Sequence, residues 1–415
     1  MCGIYGSNKD YSTAQFESKL ERARFRGPDY RGMRQYDLAT SRLTLAHNRL
    51  SIIDLDSRSN QPFDYMGKVS LTFNGEIYNF QELRHTLKSK GYQFHTESDT
   101  EVICASYLEF GEQCVEHFVG MFAFVIYDHE KGLLFGARDR LGQKPFYYQH
   151  DAGGIEFASQ LSMISRFQKN LTVSESSIRQ YLAWNAVPDP YTIYEEVKKL
   201  KPGHSFFYNL DSREINIREY WNSRRFAPVA SSTLSYAEAK EQVLHTIKSS
   251  VKHRMISDVP LGVFLSGGVD SSLIAAVAQT QSSEKVKSFS VKFSTKGFDE
   301  SEYAKQVAEI LGTQHHTIEC DYREGLDLID KVHHYYDEPF ADSSAIPSML
   351  LSKYTRQHVT VALSGDGGDE SFLGYHRYRW IDQASPVFKL PKFLRQMMGS
   401  ALQVVPNYRV KSIGK

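Results

Sequence analysis

The chain has 415 residues, with 49 Lys plus Arg against 49 Asp plus Glu and a formal net charge of +0, so no global field recruits nucleic acid or an anionic membrane. Four cysteines, Cys2, Cys104, Cys114 and Cys320, form neither a CxxC pair nor a zinc-ligand spacing, which argues against a disulfide framework or a structural zinc. With no charged leader before an apolar core and no apolar run near the ~18 residues of a membrane span, a cytoplasmic protein of at least two domains is expected.

The N-terminus reads Met1-Cys2-Gly3-Ile4. Loss of the initiator methionine would leave Cys2 with a thiol and a free α-amine, whose pKa near ~8 suits a base; the alternative is a small residue buried at a strand start. Residues 43–53 form an apolar run broken by Arg49, a guanidinium that needs a carboxylate partner, which a substrate could supply. Val69 to Phe73 alternates as a strand and meets Asn74-Gly75-Glu76. Asn-Gly is a hairpin signal, yet the Asn74 amide and the Gly75 N–H could instead donate to an oxyanion. Ser98-Asp99-Thr100-Glu101 opens a helix, where Asp99 either caps it or pairs with a substrate ammonium.

Cys2-Gly3-Ile4, Arg26-Gly27-Pro28-Asp29, Arg49 to Ile53, Asn74 to Asn79, Ser98 to Glu101 and Ala137-Arg138-Asp139-Arg140 are similar, in order and spacing, to the class II glutamine amidotransferase domain. The resemblance implies the N-terminal nucleophile hydrolase fold, an α+β domain of two stacked antiparallel sheets with helices. It implies that Cys2 attacks the glutamine amide and that Asn74 and Gly75 form the oxyanion hole. Arg49, Leu50, Ser51, Ile52, Ile53, Asn74, Gly75, Glu76 and Asp99 would hold the glutamine. Residues 118–150 read as further strands. Gln160 and Asn48 depart from the family pattern. Tyr181 to His204 should face the second domain, and an apolar ammonia passage is expected around Leu182 to Val187 and residues 198–204. The glutaminase domain is assigned to residues 2–221, a linker to 222–234 and an ATP-dependent synthetase domain to 235–415.

That second domain opens on the capping box Ser235 to Glu238, followed by Ala239, Val243, Ile247 and Val251 on one helix face. The apolar run 259–265 leads through Ser266-Gly267-Gly268-Val269-Asp270-Ser271-Ser272 into a helix-prone stretch. A strand, a glycine turn and uncapped helical N–H groups make an anion site. Two glycines also occur in ordinary βα turns, and no GK[ST] follows as in a Walker A loop. Ser-Gly-Gly-x-Asp-Ser-Ser resembles the pyrophosphate loop of ATP pyrophosphatases. Strands expected at 286–293, 315–319 and 359–363, with helices at 301–311, 323–336 and 344–357, give an α/β doubly wound parallel sheet. Its last strand ends in a second glycine loop, Ser364 to Glu370, placing both loops at a ligand crevice.

Asp270 and Asp369, one per loop, either cap turns or share a magnesium ion with phosphate oxygens. Taken together, the two halves resemble the glutamine-hydrolysing asparagine synthetase family. The resemblance implies ATP and Mg2+ as cofactors and makes Leu265, Ser266, Gly267, Gly268, Asp270, Ser271, Ser272, Val291, Ser364 and Gly365 the ATP-binding residues, with Asp270 and Asp369 on the metal. Asp366 stands at a catalytic position that is glutamate in many members. Family members continue past residue 415 with helices and a lysine that complete the acceptor pocket, so the synthetase domain is expected to be incomplete, with amide synthesis at least ~100-fold slower than in a full-length relative. The expected partners are small molecules (glutamine, ATP, and aspartate or another carboxylate such as a sugar acid or peptide), with no nucleic acid, no membrane and a homodimer as a candidate assembly. The reading from a different class is a glutamine-hydrolysing or glutamine-sensing module that only binds nucleotide.

Overall fold

The computed structural model describes residues 1–39, 41–226, 234–293, 300–320 and 322–403. The first half is four layers, helix on sheet on sheet on helix, and strand alternation explains why. In the strand Gly3–Ser7 successive side chains face opposite ways. Ile4 joins Leu43, Leu45, Val125, Leu134, Phe157 and Phe206 between the two sheets. Tyr5 packs outward on Phe16 and Leu20 of the helix Thr13–Arg22. One antiparallel sheet runs, in spatial order, 198–199, 147–151, 154–158, 3–7, 42–49 and 30–37; the other runs 215–219, 204–209, 133–138, 120–128, 69–77 and 63–65. The helices Phe80–Ser89 and Asp99–Phe110 cover the second sheet through Leu83, Leu87, Val102 and Ile103.

Asn74-Gly75 does not turn the chain. The strand Val69–Ile77 runs straight through, with Asn74 opposite Ala123 and Gly75 opposite Phe122. The Asn-Gly signal loses because a nine-residue ladder satisfies every one of these positions, and a Cβ at Gly75 would lie 2.1 Å from the Met121 carbonyl oxygen. Thr72, Asn74 and Glu76 share one face, and the Thr72 hydroxyl donates to the Ala46 carbonyl of the first sheet at 3.1 Å. Asn74 and Glu76 therefore point into the gap where the chain begins.

The second half holds a four-stranded parallel sheet ordered 314–320, 287–293, 261–264, 361–363. Strand order reverses between 261–264 and 361–363, so both glycine loops emerge at the switch point, as the doubly wound reading expects. The helix Tyr236–Arg254 starts on its Ser235 capping box and packs Val251 and Ile247 on Ala275 and Ala278. Residues 334–341 strap the halves together. Glu338 pairs with Lys199 at 2.6 Å, Ala341 N–H donates to the Asn185 carbonyl at 2.8 Å, and Phe25 stacks edge-on against Tyr335. Residues 227–233 of the assigned linker lie outside the described residues, and no described helix is long and apolar enough to cross a membrane.

Candidate active site

A cavity of about 310 Å³ opens between the sheets, lined by Cys2, Arg49, Leu50, Ile52, Ile53, Asn74, Gly75, Glu76 and Asp99 among others. Residues 72 positions apart in sequence meet here because the first strand pairs with Arg42–Arg49 and its sheet faces Val69–Ile77. The Cys2 sulfur accepts from the Leu50 N–H at 3.4 Å, and the Arg26 Nε donates to the Cys2 carbonyl at 2.9 Å. Asn74 is fully buried, yet neither its Nδ2 nor its Oδ1 has a hydrogen-bond partner. Burying an unpaired amide costs about 1–3 kcal/mol, so the fold retains it against its own stability. Asn74→Ala should therefore lower kcat for glutamine hydrolysis by about 10²–10³-fold while leaving thermal stability unchanged or higher. Steady-state kinetics beside a melting curve checks both signs; an active variant would remove Asn74 from the chemistry.

Among the described residues the Arg49 guanidinium forms no ion pair; it donates to the carbonyls of Asp56 at 2.9 Å, Ile53 at 3.4 Å and Asp54, and to Asn60 Oδ1 at 2.8 Å. Neutral acceptors satisfy its donors, and Asp54, Asp29 and Asp99 lie near enough to favour its charged form beside the cavity. It also fixes the loop carrying Ile52 and Ile53. Ser51 does not line the cavity; its N–H donates to Asp29 Oδ2 at 2.8 Å. Asp99 is not the helix cap, which is Ser98, whose hydroxyl accepts from Thr100 N–H. Its Oδ2 instead accepts from Ile77 N–H at 2.9 Å, which sets the carboxylate beside Glu76.

Burial pushes the Glu76 carboxyl up to about 7, with Asp99 adding to the rise and Lys144 opposing it, and burial pushes Asp99 up to about 6. Sequence reasoning missed Lys144. Asp139 accepts four backbone N–H groups, from Phe122, Leu141, Gln143 and Lys144, at 2.9–3.1 Å, and so shapes the loop that delivers Lys144 to the cavity. Burial lowers that ammonium to about 8. The available signal was the run Gly142-Gln143-Lys144, one residue after the quoted Arg138-Asp139-Arg140.

If Glu76 and Asp99 hold a substrate ammonium, they must be ionised. The glutamine KM should rise as pH falls through about 7 and steepen below about 6, by up to tenfold per pH unit for each group. Stability should move the other way: with both pKa values above their unfolded values, the folded state keeps protons the unfolded chain sheds, so stability falls as pH rises from about 4.5 towards 7. Paired KM and melting profiles test this; a KM flat between pH 5.5 and 8 would sink it.

In the second half the loop conformation favours an anion. Gly267 has φ +86, and a Cβ there would lie 2.7 Å from Tyr303 Cβ. Gly268 caps the helix Val269–Gln281 with no side-chain hydrogen bond, which leaves its first N–H groups open. The Ser266 and Ser271 hydroxyls are 2.9 Å apart. Leu265 is buried, while Ser272 Oγ lies buried without a partner. Val291 sits in the neighbouring strand opposite Ile318. The two loops touch: a Cβ at Gly365 would meet Ser271 N at 2.8 Å, and one at Gly368 would meet Asp270 Oδ2 at 2.4 Å. Neither the Asp270 nor the Asp369 carboxylate accepts a hydrogen bond among the described residues; Asp270 Oδ2 packs on Gly368 and Asp369 Oδ1 on Gly374. Asp366 turns back on its own loop and accepts from Ser364 Oγ at 2.9 Å.

The cavity also reaches Thr360, Val361 and Ala362, where the strand Val361–Leu363 begins. Of the two stretches expected to line an ammonia passage, Val187 and Leu200 are buried, whereas Leu182 and Trp184 are each 74% exposed. Residues 1–221 match the family model of the glutamine amidotransferase domain, and residues 242–409 match that of asparagine synthase. A Methanocaldococcus jannaschii protein, provisionally named glutamine-hydrolyzing asparagine synthetase 2, is 37% identical over 97% of this chain and 81% of its own. The chain belongs to the glutamine-hydrolysing asparagine synthetase family. Asparagine synthetase [glutamine-hydrolyzing] 1 of Bacillus subtilis is 36% identical over 98% of this chain and 64% of its own, and an Arabidopsis thaliana member is 32% identical over 90% and 61%. The chain thus spans less than two thirds of the length of these two relatives.

Proposed function

We propose that this protein is a glutamine-dependent asparagine synthetase. The observation that carries the glutaminase half is Asn74, a buried amide with no partner in the cavity that holds Cys2. The Cys2 thiolate adds to the glutamine side-chain carbonyl, and the oxyanion is met by the Asn74 Nδ2 and the Gly75 N–H. Collapse expels ammonia and leaves a thioester, which water hydrolyses to glutamate. Removal of Met1 frees the Cys2 amine as base. Met1 lines the same cavity, and burial lowers its amine to about 5. Arg49 and the backbone of Leu50, Ile52 and Ile53 favour the glutamine α-carboxylate; Glu76 and Asp99 favour its α-ammonium.

In the second half, the loops 265–272 and 364–370 cradle the phosphates of ATP. Asp270 and Asp369 would hold a magnesium ion, which supplies positive charge to the phosphate oxygens. The aspartate side-chain carboxylate attacks the α-phosphorus and pyrophosphate leaves. Ammonia then attacks the acyl carbon, AMP leaves and asparagine forms, with Asp366 beside the adenylate. Incubation with glutamine, MgATP and aspartate should give asparagine, AMP and pyrophosphate in equal amounts. AMP release that needs a sugar acid or peptide carboxylate instead would overturn aspartate as the acceptor, and glutamate release with no AMP from any acceptor would reduce the protein to a glutaminase.

A further inference from the structure

The loop proposed to hold glutamine is gripped from the other half of the molecule. Asp258 Oδ2 accepts from the Asp54 N–H at 2.7 Å, and the Asp258 N–H donates to the Ile52 carbonyl at 3.0 Å. These two bonds bracket Ile53. Asp54 itself sits at φ 48, a conformation a non-glycine residue keeps only when its surroundings enforce it, and its carboxylate accepts from Glu97 N–H at 2.7 Å. The same loop carbonyls, Ile53 and Asp54, receive the Arg49 guanidinium. Asp258 lies three residues before the strand Leu261–Phe264, whose far end carries the Ser266–Gly268 turn. Next to it, Thr360 N–H donates to the Pro260 carbonyl at 2.9 Å, and Thr360 lines the Cys2 cavity.

We infer that Asp258 is a positioning residue for glutamine: it clamps residues 52–54 from the parallel-sheet half, so the glutamine pocket reaches its binding shape only when both halves are docked. This rests on the glutaminase reading above. Asp258 touches no reacting atom. It presents the loop backbone and keeps the Arg49 charge aimed at the cavity, so its loss should weaken substrate binding and spare chemistry at saturation. Losing a hydrogen bond to a charged acceptor is worth about tenfold in an equilibrium constant.

In the full chain, Asp258→Ala should raise the glutamine KM about tenfold and leave kcat within twofold. Asp258→Asn retains a carbonyl oxygen that accepts from Asp54 N–H and should restore most of the affinity. A KM within twofold of the parent in the alanine variant overturns the inference. So does a fall in kcat at unchanged KM, or an asparagine variant as impaired as alanine, each of which marks a general structural role. If the alanine variant does not fold, the asparagine variant decides: a KM close to the parent's supports the clamp, and a tenfold rise overturns it. A parent protein without Cys2-dependent hydrolysis fails the earlier reading instead, so the two failures are distinguishable.

Discussion

Cys2→Ala should abolish glutamine hydrolysis, leaving glutamate release at the level of a no-enzyme control while ATP still binds. Of the three cysteines whose side chains are described, Cys104 and Cys114 are fully buried and burial holds both thiols well above the usual range. Cys2 alone lines the cavity with the Asn74 amide. A thiol-reactive glutamine analogue should accordingly label the folded protein once, at residue 2. An N-terminal tag that blocks methionine removal should silence the enzyme as thoroughly as the substitution, since it removes the free amine and not the sulfur. Retained hydrolysis by the alanine variant would end the assignment.

The second large effect is on stability and sits far from any substrate. Lys19 and Glu156 form a 2.7 Å ion pair with both side chains fully buried. Tyr5 and Tyr11 donate to the same carboxylate at 2.7 and 3.0 Å, Gln168 at 3.2 Å, and Lys19 also reaches the Met163 carbonyl. Every charge here has partners, which is the condition under which a buried pair is tolerated; removing one member strands the other. Glu156→Ala should cost about 3–5 kcal/mol and lower the melting temperature by roughly 10 °C. The double variant Lys19→Met, Glu156→Gln should recover much of that loss. A single-variant loss below about 1 kcal/mol would mean that water reaches Lys19.

The two cases show where sequence is legible. Cys2, Asn74 and Asp99 stood out because each is a reactive or polar residue in a short run whose local pattern is strand or helix start, and those patterns set which way the side chain faces; Glu76 entered only through the resemblance. The parallel sheet was legible for the same reason, with the Ser301–Leu311 helix falling on its expected residues. Glu156 gave no such signal, since all five residues of its strand are buried and its lysine lies 137 positions earlier. Lys144, the Asp258 clamp and the opening onto Thr360 likewise depend on contacts between segments with no local mark. Arg49 stood out by its placement, but the loop carbonyls that hold its guanidinium did not, because backbone carbonyls carry no sequence signature.

The strand Gly3–Ser7 lies inside its sheet, paired with Arg42–Arg49 on one side and Gly154–Ala158 on the other. During synthesis it can find its second neighbour only after residue 158 has left the ribosome, roughly 8–30 s after the N-terminus at ~5–20 residues per second. Once the sheet closes, Met1 lines the Cys2 cavity with 53% of its surface still exposed. Before closure the methionine is presented on an extended chain, so the late arrival of a distant strand lengthens the time in which an aminopeptidase meets it unhindered.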